Sequence, residues 1–287
     1  MNRSTWLHLR IPFSFFLLPV FLFALAVEPE FNTWKAGVMF ILLHFFLYPA
    51  SNGFNSYFDQ DEDSIGGLEH PPPVHRQLYT VSLWLDLIAL LGALLINWQI
   101  MVMLLIYGLI SKAYSHPSVR LKKYPITGWL AAGIFQGAFT FLAVFMAVHE
   151  VTWTEWSQQK ILFPAMLATA LLWGSYPMTQ VYQHEEDGRR GDLTISRMLG
   201  IRGTFIFTAL VFLVANLGFL YYFYSYHSWV WALAFQASLA PVLGYFFYWM
   251  RQVWQHEHNA DYHRTMRLNL ISSSCLNLFF LGLLILG

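Results

Sequence analysis

The chain has 287 residues, 57% hydrophobic, 18% aromatic and only 11% charged, with 16 Lys and Arg against 16 Asp and Glu. Soluble domains carry about 25% charged residues, so composition argues against a water-soluble bundle, and zero formal charge gives no attraction for nucleic acid. Apolar runs of about 17–25 residues, each able to cross a ~30 Å hydrocarbon core, recur along the chain. They predict an all-α, polytopic membrane protein.

In chain order, nine helices are expected near 11–27, 34–57, 78–96, 98–114, 126–148, 161–183, 203–223, 228–250 and 267–286. The first run, IPFSFFLLPVFLFALAV, follows Arg3 and Arg10 and ends in Ala24-Leu25-Ala26, a pattern shared with signal peptides. Its two prolines and its length favour a retained first helix. Long connections at 58–77, 115–125, 184–202 and 251–266 each follow an even-numbered helix, so all four lie on one side. That side, with the N-terminus, holds 14 of the 16 Lys and Arg; only Lys35 and Lys160 fall opposite. The positive-inside rule then places the N-terminus and these loops in the cytoplasm, as for a multi-pass protein of a bacterial inner membrane. No linker divides the chain, so residues 1–287 read as one transmembrane domain. Cys275 is the single cysteine and has no disulfide partner.

The second apolar run ends in NSYFDQDED, with four acids in five residues at a membrane boundary. A similar arrangement, QVYQHEEDGRRGD, ends an apolar run 128 residues later, as Asn55 and Gln183 show. If the second helix continues through its acidic end, Asn55, Asp59 and Asp63 share one stripe, because four-residue steps drift by only ~40°. Asp61 then points elsewhere. Gln183 and Asp187 repeat the four-residue spacing, with Glu186 alongside. Two facing stripes of oxygen donors suit Mg²⁺, which bridges a few carboxylates to substrate phosphates.

These residues carry a family resemblance. Asn55-x-x-x-Asp59-x-x-x-Asp63 is similar to the first aspartate motif of the UbiA superfamily of intramembrane prenyltransferases, and Gln183-His-Glu-Glu-Asp187-Gly-Arg-Arg-Gly191-Asp-Leu-Thr194 resembles its second. Arg10-Ile-Pro12 resembles the entry to the family's first helix, and Tyr114-Ser-His-Pro-Ser-Val-Arg120-Leu-Lys122 resembles a segment of its chlorophyll-synthase branch. The resemblance implies a bundle of about nine transmembrane helices around a central cavity, and a Mg²⁺-dependent enzyme. It would ionise a prenyl diphosphate and pass the isoprenyl cation to a lipophilic, often aromatic, acceptor within the bilayer. It assigns Asn55, Asp59 and Asp63 to one metal ion and Gln183, Glu186 and Asp187 to another, with Asp59, Asp63 and Asp187 central to catalysis. Substrate contacts are implied for Arg10, Arg76, Lys112, Tyr114, Arg120 and Lys122. Gln183 departs from the usual Asp, and Gly66-Gly-Leu-Glu-His70-Pro-Pro-Pro73 replaces the family's Arg-Pro, so that a phosphate contact either passes to His70, His75 or Arg76 or is lost.

Two further features are open. Asp86 lies within the third helix, where it either orients an acceptor or pairs with a polar neighbour. The loop with His256, His258, Asp261 and His263 reads as a polar cap over the cavity mouth in preference to a metal site. Competing functions are a terpene cyclase of the same fold, which needs no acceptor, and a transporter, which would place ionisable groups near mid-membrane.

Overall fold

The computed structural model describes residues 2–28, 30–155 and 158–287, and among them the only β-pairing is an isolated Ile65–Leu68 bridge. Its helices are α1 (Arg3–Ala26), α2 (Thr33–Asp59), α3 (Gln77–Ala93), α4 (Trp98–Ser115), α5 (Pro125–His149), α6 (Gln159–Gln180), α7 (His184–Arg190), α8 (Ile195–Tyr226), α9 (Trp229–Gln255) and α10 (Tyr262–Leu286). Eight are long and apolar enough to cross a membrane; α3, with 17 residues, is the shorter ninth and α7 is a short helix of 7 residues. The chain is an integral membrane protein.

Local chemistry sets the starts. The side chains of Asn32, Asn97, Ser228 and Asp261 accept backbone N–H groups in the first turns of α2, α4, α9 and α10. Arg10 takes a left-handed conformation (φ 47°, ψ 44°) that ends the first two turns of α1, and Pro12 opens the following 3₁₀ segment. In α8, Gly200 breaks the helix at φ 70°, ψ 169°, a region open essentially to glycine.

The helices form a closed ring. α2 packs on α3 and α4, α5 on α6, α6 on α8, α8 on α9, α9 on α10, and α10 returns to α1. Away from the loop-rich end the ring is shut by buried aromatics: Phe23 stacks on Phe280 at 4.7 Å and meets Phe141 and Phe219 at 5.3 Å each. Contacts between remote loops show that the long connections share one end. Asn2 N donates to Gln77, Ser4 Oγ to the Pro73 carbonyl at 2.7 Å, and the His263 ring lies 3.0 Å from Glu69.

Several boundaries differ from the sequence expectation, and two affect function. α2 stops at Asp59 because Gln60 turns left-handed (φ 48°, ψ 49°), its N–H bonding to Ser56 O at 3.0 Å. Asn55, Asp59 and Asp63 therefore do not share a helical stripe. α6 ends at Gln180, not 183, and the segment expected as loop up to 202 instead forms α7 and the first turns of α8.

Candidate active site

The two acidic clusters meet at the loop-rich end. Glu62 N donates to Glu186 Oε1 at 2.9 Å, and Gln183 Nε2 donates to Ser64 O at 3.2 Å. Arg190 clamps the pair: it contacts Asp61 at 3.3 Å, Glu186 at 2.7 Å and the Gln60 carbonyl at 2.9 Å. Arg189 pairs with Asp63 on the outer surface. The Arg-Arg dipeptide thus ties the two clusters together and offsets part of their charge.

Inside this junction lies a polar chamber of about 230 Å³, walled in part by Asn55, Asp59, Asp61, Gln183, Asp187 and Thr194. It adjoins an apolar chamber of about 520 Å³ that runs between α8, α9 and α10. Phe13, Ser51, Asn52, Tyr107, Gln136, Tyr176 and Thr179 line both, so the two spaces are continuous.

Two cations, Arg10 and Lys122, line the polar chamber, and the closest carboxylate contacts fall on Lys122. Lys122 Nζ lies 2.5 Å from Asp59 Oδ1 and 3.6 Å from Asp192 Oδ2, and Asp192 is itself held by a two-pronged Arg120 contact at 2.8 and 2.9 Å. Burial alone would raise Asp192, but the Arg120 fork and Lys122 outweigh it and keep the carboxyl below its ordinary range. Asp61 is pushed up to about 7 by burial and by the Asp59 charge, against Arg190 and Lys122. Burial likewise raises Asp187 to about 6, with Asp192 adding to it and Lys122 opposing. The chamber therefore has more buried carboxylate than its own cations balance.

Other expected residues fall in three groups. Arg10, Tyr114 and Lys122 line the polar chamber with Asn55, Asp59, Gln183 and Asp187. Arg10 donates to Gly66 O at 3.2 Å and Asn52 O at 3.4 Å, and the Tyr114 hydroxyl bonds to that of Tyr176. Glu186 and Arg120 stand behind the wall: Glu186 is 4% exposed and faces Arg190, and Arg120 serves Asp192. Three residues are not brought to the chamber at all. Lys112 is taken by Asp86, with its ammonium 5.0 Å from the Phe54 ring centre, because an unpaired charge within a span is costly. Asp63 points outward to Arg189, and Arg76 is exposed.

The 70–76 segment also lies outside the chamber. Its prolines are held by α1, with the His8 ring 2.7 Å from Pro72 O, while His75 accepts from Gln77 N. In the last loop His263 meets Glu69, and among the described residues no His, Cys, Asp or Glu group forms a ready-made metal cluster.

Sequence reasoning missed Asp61, which it turned away from the site. The signal was present: Asp is a poor helix interior residue that competes for backbone donors, and a run of Asp, Gln, Glu and Ser before Gly66-Gly67 favours a helix end. Gln136 and Ser51, at the junction of the chambers, carried no signal, since single polar residues in apolar helices have no pattern.

The oxygen donors facing the polar chamber include carboxylates of Asp59, Asp61 and Asp187, amides of Asn55 and Gln183, and the Thr194 hydroxyl, and among the described residues no thiol or imidazole lines it. An all-oxygen set of this charge fits Mg²⁺. Behind it, Glu186 Oε2 is buried without a hydrogen-bond partner, one more acid available to a cation or to water.

Comparison with known proteins agrees with this architecture. A family model described as the UbiA prenyltransferase family matches residues 16–271. Among solved structures, a UbiA homolog from Archaeoglobus fulgidus bound to GPP and Mg²⁺ superposes with a TM-score of 0.66 at 16% identity, covering 99% of this chain and 100% of that one. An apo UbiA homolog from Aeropyrum pernix K1 gives 0.67 at 16% identity, covering 99% and 98%. A digeranylgeranylglyceryl phosphate synthase gives 0.63 at 18% identity, covering 99% of each chain. No curated protein matches the chain by sequence.

Proposed function

The chain belongs to the UbiA prenyltransferase family, and from that premise we propose that it is a Mg²⁺-dependent intramembrane prenyltransferase. It moves an isoprenyl group from a prenyl diphosphate to a lipophilic, aromatic acceptor. One observation carries this reading: an acid-lined chamber opens directly into an apolar chamber within the membrane. An amphiphile with an anionic head and a long hydrocarbon tail fits such a pair of spaces, provided a metal offsets the acids.

Asn55, Asp59 and Asp61 would hold one ion, and Gln183 and Asp187 the other, with Glu186 as a reserve acid. Mg²⁺ bound there would offset charge on the diphosphate as it leaves. Lys122 and Arg10 line the same chamber and supply hydrogen bonds to phosphate oxygens. At the junction, Phe13, Tyr107 and Tyr176 offer aromatic faces to the allylic carbon as its C–O bond breaks and positive charge builds. The apolar walls exclude water that would otherwise trap the cation. The acceptor then bonds to that carbon and releases a proton.

Asp63 remains part of the family motif, but its outward pairing with Arg189 makes Asp61 the better first-site acid. The concentration of Lys and Arg at the loop-rich end supports a cytoplasmic N-terminus and cytoplasmic site, as in a bacterial plasma membrane.

The test is diphosphate release by purified protein in detergent with geranylgeranyl diphosphate. Mg²⁺ or EDTA is present, with or without a lipid extract of the native cells. Release that needs both Mg²⁺ and extract supports a transferase. Release with Mg²⁺ alone would point to a cyclase, and solute flux in liposomes without turnover would point to a transporter.

A further inference from the structure

The junction between the two chambers is where the reacting carbon of the prenyl chain must sit, and its polar groups are all uncharged apart from the acids and cations of the diphosphate end. Among the described residues no Lys, Arg or His lines the apolar chamber. The nearest cations are already committed. Arg10 donates to two carbonyls, Lys122 is shared by Asp59 and Asp192, and Lys112 is neutralised by Asp86 outside the walls. A second anion brought here would be buried with no counter-charge, at a cost its other contacts would not recover.

Three neutral side chains at the same junction make no hydrogen bond among the described residues: Ser51, Gln136 and Tyr107, whose ring already faces the allylic carbon. Ser51 Oγ is buried with no hydrogen-bond partner. Gln136 lines both chambers and has no side-chain hydrogen bond among the described residues. Its position is built. Residues Phe135–Phe139 form a π turn in α5, in which one extra residue re-aims the side chains. Thr169 Oγ1 takes the Ala138 N–H at 2.8 Å, and Thr140 Oγ1 donates to the Phe135 carbonyl at 2.8 Å. The backbone groups around the π turn are thus satisfied, and the Gln136 amide is left free at the reacting level. That amide faces the chambers, where a polar group of a bound molecule can reach it.

We propose that Ser51 and Gln136 bind the acceptor, and that the acceptor is a neutral lipid whose ring bears a hydroxyl or carbonyl group, not a carboxylate or phosphate. This deepens the prenyltransferase reading and rests on it. The amide supplies both a donor and an acceptor, and the serine hydroxyl either, so the pair can orient a phenol-like group toward the allylic carbon without introducing charge.

The experiment divides the native-cell lipid extract on an anion-exchange resin into neutral and acidic fractions. Each is added to the purified wild-type protein in nanodiscs with Mg²⁺ and geranylgeranyl diphosphate, and diphosphate release is measured. The neutral fraction is expected to support release. Gln136→Leu should raise the concentration of neutral fraction needed for half-maximal rate about tenfold, the value of one lost hydrogen bond, while leaving the KM for prenyl diphosphate within about twofold. Ser51→Ala should do the same more weakly, and Gln136→Asn should recover part of the loss. Release supported only by the acidic fraction, or an unchanged acceptor dependence in both Gln136→Leu and Ser51→Ala, overturns the proposal but leaves the transferase standing. Release that needs neither fraction, or no release with any, removes the transferase reading and this proposal with it.

Discussion

Lys122 Nζ lies 2.5 Å from Asp59 Oδ1, so an ammonium group from the loop after α4 pairs with the carboxylate proposed above as a metal ligand. Both side chains are nearly buried, 11% and 4% exposed, and neither would be stable there alone. The contact makes Lys122 the internal counter-ion of Asp59, and on the proposed function it would turn to a phosphate oxygen once a metal ion takes that carboxylate.

Removing that counter-ion should therefore matter most without metal. Lys122→Met leaves Asp59 buried with its close counter-charge removed and only the Asn55 amide as partner at 2.7 Å; breaking a buried ion pair typically costs about 3–5 kcal/mol. Thermal unfolding in detergent should show a marked drop relative to wild type in EDTA and a much smaller one in Mg²⁺ with a prenyl diphosphate. An equal drop in both conditions would show that Lys122 is only a structural partner.

Asp61 and Asp63 should behave differently although they are two residues apart. Asp61→Asn removes a carboxylate of the chamber wall and is expected to lower Mg²⁺-dependent diphosphate release about a hundredfold or more, whereas Asp63→Asn, at the surface, stays within about threefold. The reverse ranking in a side-by-side assay would restore the helical-stripe assignment.

Arg190 bridges the two clusters, so its loss should loosen one against the other. Arg190→Gln is expected to raise the KM for prenyl diphosphate about tenfold, as loss of charge-assisted hydrogen bonds does. It should also speed amide exchange in residues 60–64, which Arg190 and Glu186 hold. Hydrogen exchange unchanged in that segment would refute the clamp.

Gly137 sits where α5 crosses α6. A Cβ built there would lie 2.5 Å from Thr169 Cα and 2.7 Å from Thr169 N, both backbone atoms. Gly137→Ala should destabilise the protein by about 1–3 kcal/mol and, by shifting the π turn, weaken acceptor dependence. Thermal unfolding and acceptor titration of the same preparation test both at once.

The spans, their shared loop-rich end and the two acidic clusters facing each other were legible in the sequence, because hydropathy, Lys and Arg placement and motif spacing are local or additive quantities. The family resemblance rested on the same short motifs. What the tertiary structure decided was direction. Whether Asp61 or Asp63 faces inward depends on Gln60 leaving the helix, and a single left-handed residue has no periodic trace. Lys112 and Arg120 looked equivalent to Lys122 as phosphate ligands. Only packing shows that Asp86 and Asp192, remote in the chain, claim the first two. Gln136 reaches the junction only through the π turn that the Thr169 hydroxyl supports across the α5–α6 contact. Composition places a chain in the membrane, but a buried charge is assigned by the partner that neutralises it, and that partner is chosen in three dimensions.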